Sequence, residues 1–181
     1  DYAHVVENLP KWASGLAAGV QQRNGVWYTE SPMGHVRLDM APKNAFRVLD
    51  HDVTLPDGTK VHNAFRVTPA GDGSLLSFTV LRLPGTTDEA FEKDVAHVQG
   101  DLQALAALSG AELAFEAVAP AWGHPGRSAR VLRVDGAGEP RIAGWIAQLH
   151  PALQQTLDID QAVIAFELDL AVLRTRAVPR A

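Results

Sequence analysis

The chain has 181 residues, is 46% hydrophobic and 20% charged, and carries a formal net charge of −5. This is a globular composition with room for one large or two small domains, and its acidic balance supplies no global field for nucleic acid. The absence of cysteine excludes disulfides, thiolate zinc sites and a cysteine nucleophile, and suits the cytoplasm. No apolar run approaches the roughly 20 residues that span a bilayer, and no signal peptide is evident. The chain starts at Asp1 without a methionine, and its first residues read as the inside of a domain, so the expectation is that something upstream has been removed.

Residues 4–18 hold Asn8 or Glu7 and then Pro10, which suit the start of a short helix, with Trp12 and Leu16 on its buried side. Val26 to Glu30 is a strand that ends at the turn Ser31-Pro32-Met33-Gly34. Val36, Leu38 and Met40 alternate with Arg37 and Asp39, the pattern of a half-buried strand. Phe46 to Leu55 reads as a strand closed by Pro56-Asp57-Gly58. Val61, Asn63, Phe65 and Val67 alternate again, Ala70-Gly71-Asp72-Gly73 closes a hairpin, and Leu76, Phe78 and Val80 line the next strand.

Thr86 to Gly110 is the longest periodic stretch. Phe91, Val95, Val98, Leu102, Leu105 and Leu108 fall on one helical face. Thr86 is the expected cap, with Glu89 as its reciprocal partner, and Gly110 the expected stop. Gly100 interrupts the pattern and could mark a break. Beyond it, Glu112 to Val118 is a strand and Ala121 to Gly126 an irregular loop. Ser128 to Val134 and Ile142 to Leu149 are strands joined by Asp135-Gly136-Ala137-Gly138. His150-Pro151 opens a short helix with Leu153 and Leu157 as its apolar side, and Ala162 to Leu168 is the last strand.

Two resemblances attach to these segments. NLPKWASGL, ESPMG, LDHDVTLPDG, HNAFRVTPAGDGS and FTVLRLPGTTDEAFEKD resemble the START-like helix-grip superfamily, the polyketide cyclase group, over about residues 5–108. That resemblance implies an α+β fold in which a curved antiparallel sheet grips the long helix around an apolar cavity. The family's first strand is missing here, which would leave a sheet edge open to a strand-exchanged homodimer. VQGDLQALAALSGAELAFEA, HPGRSARV, GWIAQLHPALQQTLDI and AVIAFELDLAVL resemble the phenylalanyl-tRNA synthetase beta subunit over about residues 98–181. The resemblance is to the C-terminal part of the subunit's synthetase-like core, a noncatalytic copy whose implied partner is the alpha subunit that carries the chemistry.

The expected architecture is therefore a helix-grip domain at 1–109, incomplete at its start, followed by a small antiparallel α+β segment at 110–181. The two segments read as a fusion that meets within the long helix. In the first, Trp12, Trp27, Met33, Leu38, Phe65, Phe78 and Val95 are candidates to line a cavity for a small apolar molecule. Core packing accounts for them equally well. Asp50-His51-Asp52 with His62 looks like a metal cluster, but alternate strand residues face opposite ways, so His51 cannot easily join the two aspartates. His124, Pro125, Gly126, Arg127 and Ser128 look catalytic to the eye and read as a structural turn. Arg174, Arg176 and Arg180 form a basic tail that reads as a solvated linker. No catalytic residue, metal or cofactor is assigned. The leading expectation is a noncatalytic binding module. The alternatives are a beta-subunit remnant acting by docking to the alpha subunit, and a polyketide cyclase-like enzyme.

Overall fold

The computed structural model describes residues 2–13, 16, 19–31, 33–134 and 139–174. Short 3-10 helices at Tyr2–His4 and Val6–Lys11 precede six strands: β1 (Val20–Arg23), β2 (Val26–Ser31), β3 (Gly34–Met40), β4 (His51–Thr54), β5 (Lys60–Ala70) and β6 (Gly73–Leu81). Helix α1 (Asp88–Leu108) follows, then β7 (Leu113–Glu116), β8 (Gly123–Arg133), β9 (Arg141–Leu149), α2 (Pro151–Thr156), β10 (Val163–Asp169) and α3 (Leu170–Leu173).

All ten strands form one antiparallel sheet in the order β1-β2-β3-β4-β5-β6-β10-β9-β8-β7. This overturns the expected helix-grip α+β fold. The decisive pairing is β6 with β10, seven residue pairs from Leu81↔Val163 to Leu75↔Asp169. It carries the sheet across the boundary expected at 109/110. It makes β6 an interior strand, and β1 and β7 stand at the two edges of the sheet. An unpaired row of backbone N–H and C=O groups is costly, and β10 offers a complementary row with Ile164, Phe166 and Leu168 turned inward.

The helix is placed differently as well. Its Phe91 and Val95 stand over β8, β9 and β10 rather than in the concavity of the first six strands. Its far end is tied to α3, where the Ser109 hydroxyl donates to the carbonyl of Leu173 at 2.9 Å. The inner face of the early strands is covered instead by the 3-10 helices. Val6, Leu9 and Trp12 are buried there, and Trp12 lies tilted on Phe65 at 6.0 Å between ring centroids. One continuous core runs from these residues through Phe65, Phe166 and Leu102. The opposite face of the sheet is polar, with Arg37–Asp39 at 2.7 Å and Arg130–Glu116 at 2.6 Å.

Local chemistry explains where the elements depart from the sequence pattern. Helix α1 is capped by Thr87, not Thr86: the Thr87 hydroxyl accepts from the Ala90 N–H at 3.2 Å. The Thr86 carbonyl is held by the Arg82 guanidinium, which also reaches Asp88 at 2.6 Å. Gly100 lies inside an unbroken helix. Gly110, at φ +85°, ends it: its N–H reaches the carbonyl of Ala107 and that of Ala111 the carbonyl of Ala106, the paired bonds of a Schellman motif. The strand expected from Phe46 to Leu55 is reduced to β4. The Asn44 side chain bonds the N–H groups of Phe46 and Val48 and the carbonyls of Pro42 and Val48, which curls this stretch into a loop. Arg47 takes φ +57° and Phe46 stands 84% exposed. The loop expected at 121–126 contains the start of β8, and Leu153 on α2 and Leu157 just past its end face solvent rather than a core. The expected turn at 135–138 lies outside the described residues.

Candidate functional site

Two places concentrate the residues singled out by sequence. The first is an aromatic row across the inner face of the early strands. Trp12 meets Phe65, Phe65 meets Phe78 at 5.5 Å, and Phe78 meets Phe166 edge-on at 6.4 Å. The row follows strand register, because Phe65 pairs with Phe78 and Phe78 with Phe166 on neighbouring strands. Leu38 is buried beside it, and Trp27, its register partner on β2, packs half-buried against the same core. Met33 sits at a turn and is 57% exposed. Of the seven expected to line a cavity, Val95 alone lines a cavity that lies under α1.

That cavity lies between α1 and the second half of the sheet, with a volume of about 230 Å³. Phe91, Glu92 and Val95 form its helical wall, and Ala129, Ile146 and Ile164 its floor. Arg127, Ser128 and Gln148 stand at its polar side. The sequence motif at 124–128 builds that side. Strand β8 shifts register between Gly123 and Ser128. Inside the shift, His124 Nδ1 accepts from the Gly126 N–H at 3.0 Å and the Ser128 hydroxyl donates to the His124 carbonyl at 2.8 Å. His124 and Ser128 thus bond the loop's own backbone. Arg127 is carried outward and donates to Gln148 Oε1 at 3.1 Å. Bulges of this kind re-aim a side chain. Gln148 and Glu92 were not singled out by sequence, because a glutamine in a strand and a glutamate on a helix give no signal until the sheet brings β8 and β9 under α1.

The acid–imidazole cluster splits as strand alternation requires. His62 and the two aspartates lie on the polar face, with His62 at 2.8 Å from Asp52 and 3.8 Å from Asp50. Asp50, 14% exposed, is held by Arg66 at 2.8 Å and by the Phe65 N–H. The Arg66 guanidinium is the main cause that keeps its carboxyl below the ordinary range. His51 points inward against Phe78 at 6.4 Å, and burial lowers its imidazole pKa. Among the described residues no three such side chains form a group that could hold a metal ion. No described helix is long and apolar enough to cross a membrane. Of the basic tail, Arg174 is described, and Arg176 and Arg180 lie outside the described residues.

Comparison with known proteins separates the two halves. The family described as the phenylalanyl tRNA synthetase beta chain CLM domain matches residues 83–170. That segment is similar to a synthetase beta chain. The phenylalanine–tRNA ligase beta subunit of Xylella fastidiosa (strain Temecula1) is 56% identical over 88 residues, which cover 49% of this chain and 10% of that protein. The beta subunit of Xanthomonas campestris pv. campestris (strain 8004) is 52% identical over 94 residues, 52% of this chain and 11% of that protein. The chain thus spans about a tenth of the length of the curated relatives it matches. The matched segment covers α1, β7, β8, β9, α2 and β10. The START-like resemblance of the first half finds no support in these comparisons, and with it falls the support for a polyketide cyclase or a helix-grip ligand site.

Proposed function

We propose that the chain is a noncatalytic docking element of the phenylalanine–tRNA ligase beta-subunit type, acting by assembly with an alpha subunit. The observation that carries this reading is the identity above one half over a segment that coincides with α1 and the β7–β10 strands. In this reading the chemistry of aminoacylation belongs to the partner, the location is cytoplasmic, and residues 2–81 serve by completing the sheet at β6.

The test is co-expression of the full chain with the phenylalanine–tRNA ligase alpha subunit of Xylella fastidiosa. The expected result is a complex that survives affinity capture on the alpha subunit and co-elutes in size exclusion. Well-folded chain that elutes apart from the alpha subunit at micromolar concentrations overturns the reading.

A further inference from the structure

The cleft beneath α1 joins an apolar lining to a polar side. Its floor and helical wall are apolar, contributed by Phe91, Ile146 and Ile164 among others. At its polar side stands the Arg127 guanidinium, with one N–H engaged by Gln148 and, among the described residues, no carboxylate partner. Glu92 faces the same space from the helix without an ion pair to Arg127. The register shift in β8 sets where the Arg127 backbone lies, and the exposed Arg127 side chain is tied to the cleft by its bond to Gln148.

We infer that this cleft binds a small carboxylic acid with an apolar body, the carboxylate on Arg127 and the body on Phe91, Ile146 and Ile164. A guanidinium presents a planar fork that matches a carboxylate with two parallel hydrogen bonds. At about 230 Å³ the space is below the roughly 300–1,000 Å³ of pockets for drug-sized ligands, which limits the body to about the size of one ring. A doubly charged phosphate fits less well, because Glu92 stands on the other wall. The inference is independent of docking: failure of the alpha subunit to bind leaves it untouched.

The test uses the full chain with labelled methyl groups and 3-phenylpropionate as the probe, followed by NMR. The expected result is saturable shifts at the methyls of Val95, Ile146 and Ile164. Arg127→Gln is expected to weaken binding at least tenfold, and Glu92→Gln to tighten it several-fold. Ala129→Met, which fills the floor, is expected to abolish it. Phenethylamine, the same body with a cation, is expected to bind at least tenfold more weakly. Shifts centred on Trp12 and Phe65 instead would overturn the inference. So would unchanged affinity in Arg127→Gln, or equal binding of the amine.

Discussion

Residues 2–81 and residues 83–173 solve the same problem by different means. Each presents one apolar sheet face that must be covered. The first covers it with two short 3-10 helices and the Trp12 ring, the second with the 21-residue helix α1. The family match begins at residue 83, yet the sheet does not begin there, because β6 and β10 pair across the division. A boundary of resemblance and a boundary of folding are therefore different things. The demand of an unpaired strand edge for a partner couples segments that sequence comparison separates.

The hardest way to break that coupling is at Gly144. A Cβ built there collides with the carbonyl oxygen of Glu167, because β9 and β10 approach too closely for any side chain. Gly144→Ala forces backbone apart beside the strand that joins the two regions. The expected cost is about 5 kcal/mol or more, at the upper end for a single substitution. Urea unfolding followed by tryptophan fluorescence checks it. A loss under about 1 kcal/mol would mean that the β9–β10 contact is looser than described.

A pair of core truncations sharpens the comparison. Phe65 belongs to the first region and Phe166 to the second, and both are fully buried. Each change to alanine is expected to cost about 3–5 kcal/mol. The informative point is the shape of the unfolding curve. If the shared core makes one cooperative unit, either variant shifts a single transition. Two separate transitions, each moved by only one of the substitutions, would mean that the two regions fold independently and that the β6–β10 pairing is secondary.

The elements were largely legible because alternation and helical periodicity are local signals. Val36 and Leu38, the β5–β6 hairpin, the Gly110 stop and Pro151 opening a helix all sit where their sequence places them. The long-range pairing was not legible. Nothing in VIAFELDL specifies β6 rather than another edge, and the helix-grip expectation assigned α1 to the wrong half of the sheet. The cap moved one residue because Arg82 competes for the Thr86 carbonyl, a contact six residues from Asp88 that no local motif encodes. The strand expected from Phe46 failed because one asparagine satisfies four backbone groups at once. The candidate site was half legible: the motif at 124–128 was visible as a turn, while its companions Glu92 and Gln148 acquire meaning only when β8 and β9 lie under the helix.

Acid titration gives a smaller contrast between the regions. His51 is held below its ordinary pKa by burial against the Phe78 side of the core. The unfolded chain therefore takes up a proton near pH 6.5 that the folded chain resists. The stabilisation is complete above about pH 6.5 and is lost as pH falls from there through the lower folded value. His51→Leu is expected to flatten this part of the profile in thermal melts taken between pH 7.5 and 5. An unchanged profile would assign the sensitivity to another group. Asp50, also lowered, acts in a separate and more acidic window below about pH 4, where protonation releases Arg66.

The smallest effect tests the second region alone, and it is a gain. Gly100 lies inside α1, eight residues from its end, and a Cβ built there meets nothing within 4 Å. Glycine in a helix loses more backbone freedom on folding than alanine does, with no compensating contact here. Gly100→Ala is therefore expected to stabilise by about 1 kcal/mol, or roughly 2–4 °C in Tm for a chain of this size. The value of the measurement lies in where the gain appears. If α1 is bound into the common core, the single transition moves up as a whole. If the melt broadens and only one part of it rises, the helix stabilises the β8–β10 sheet without reaching β1–β6. The continuity of the core from Trp12 to Leu102 would then be a matter of proximity rather than of cooperation.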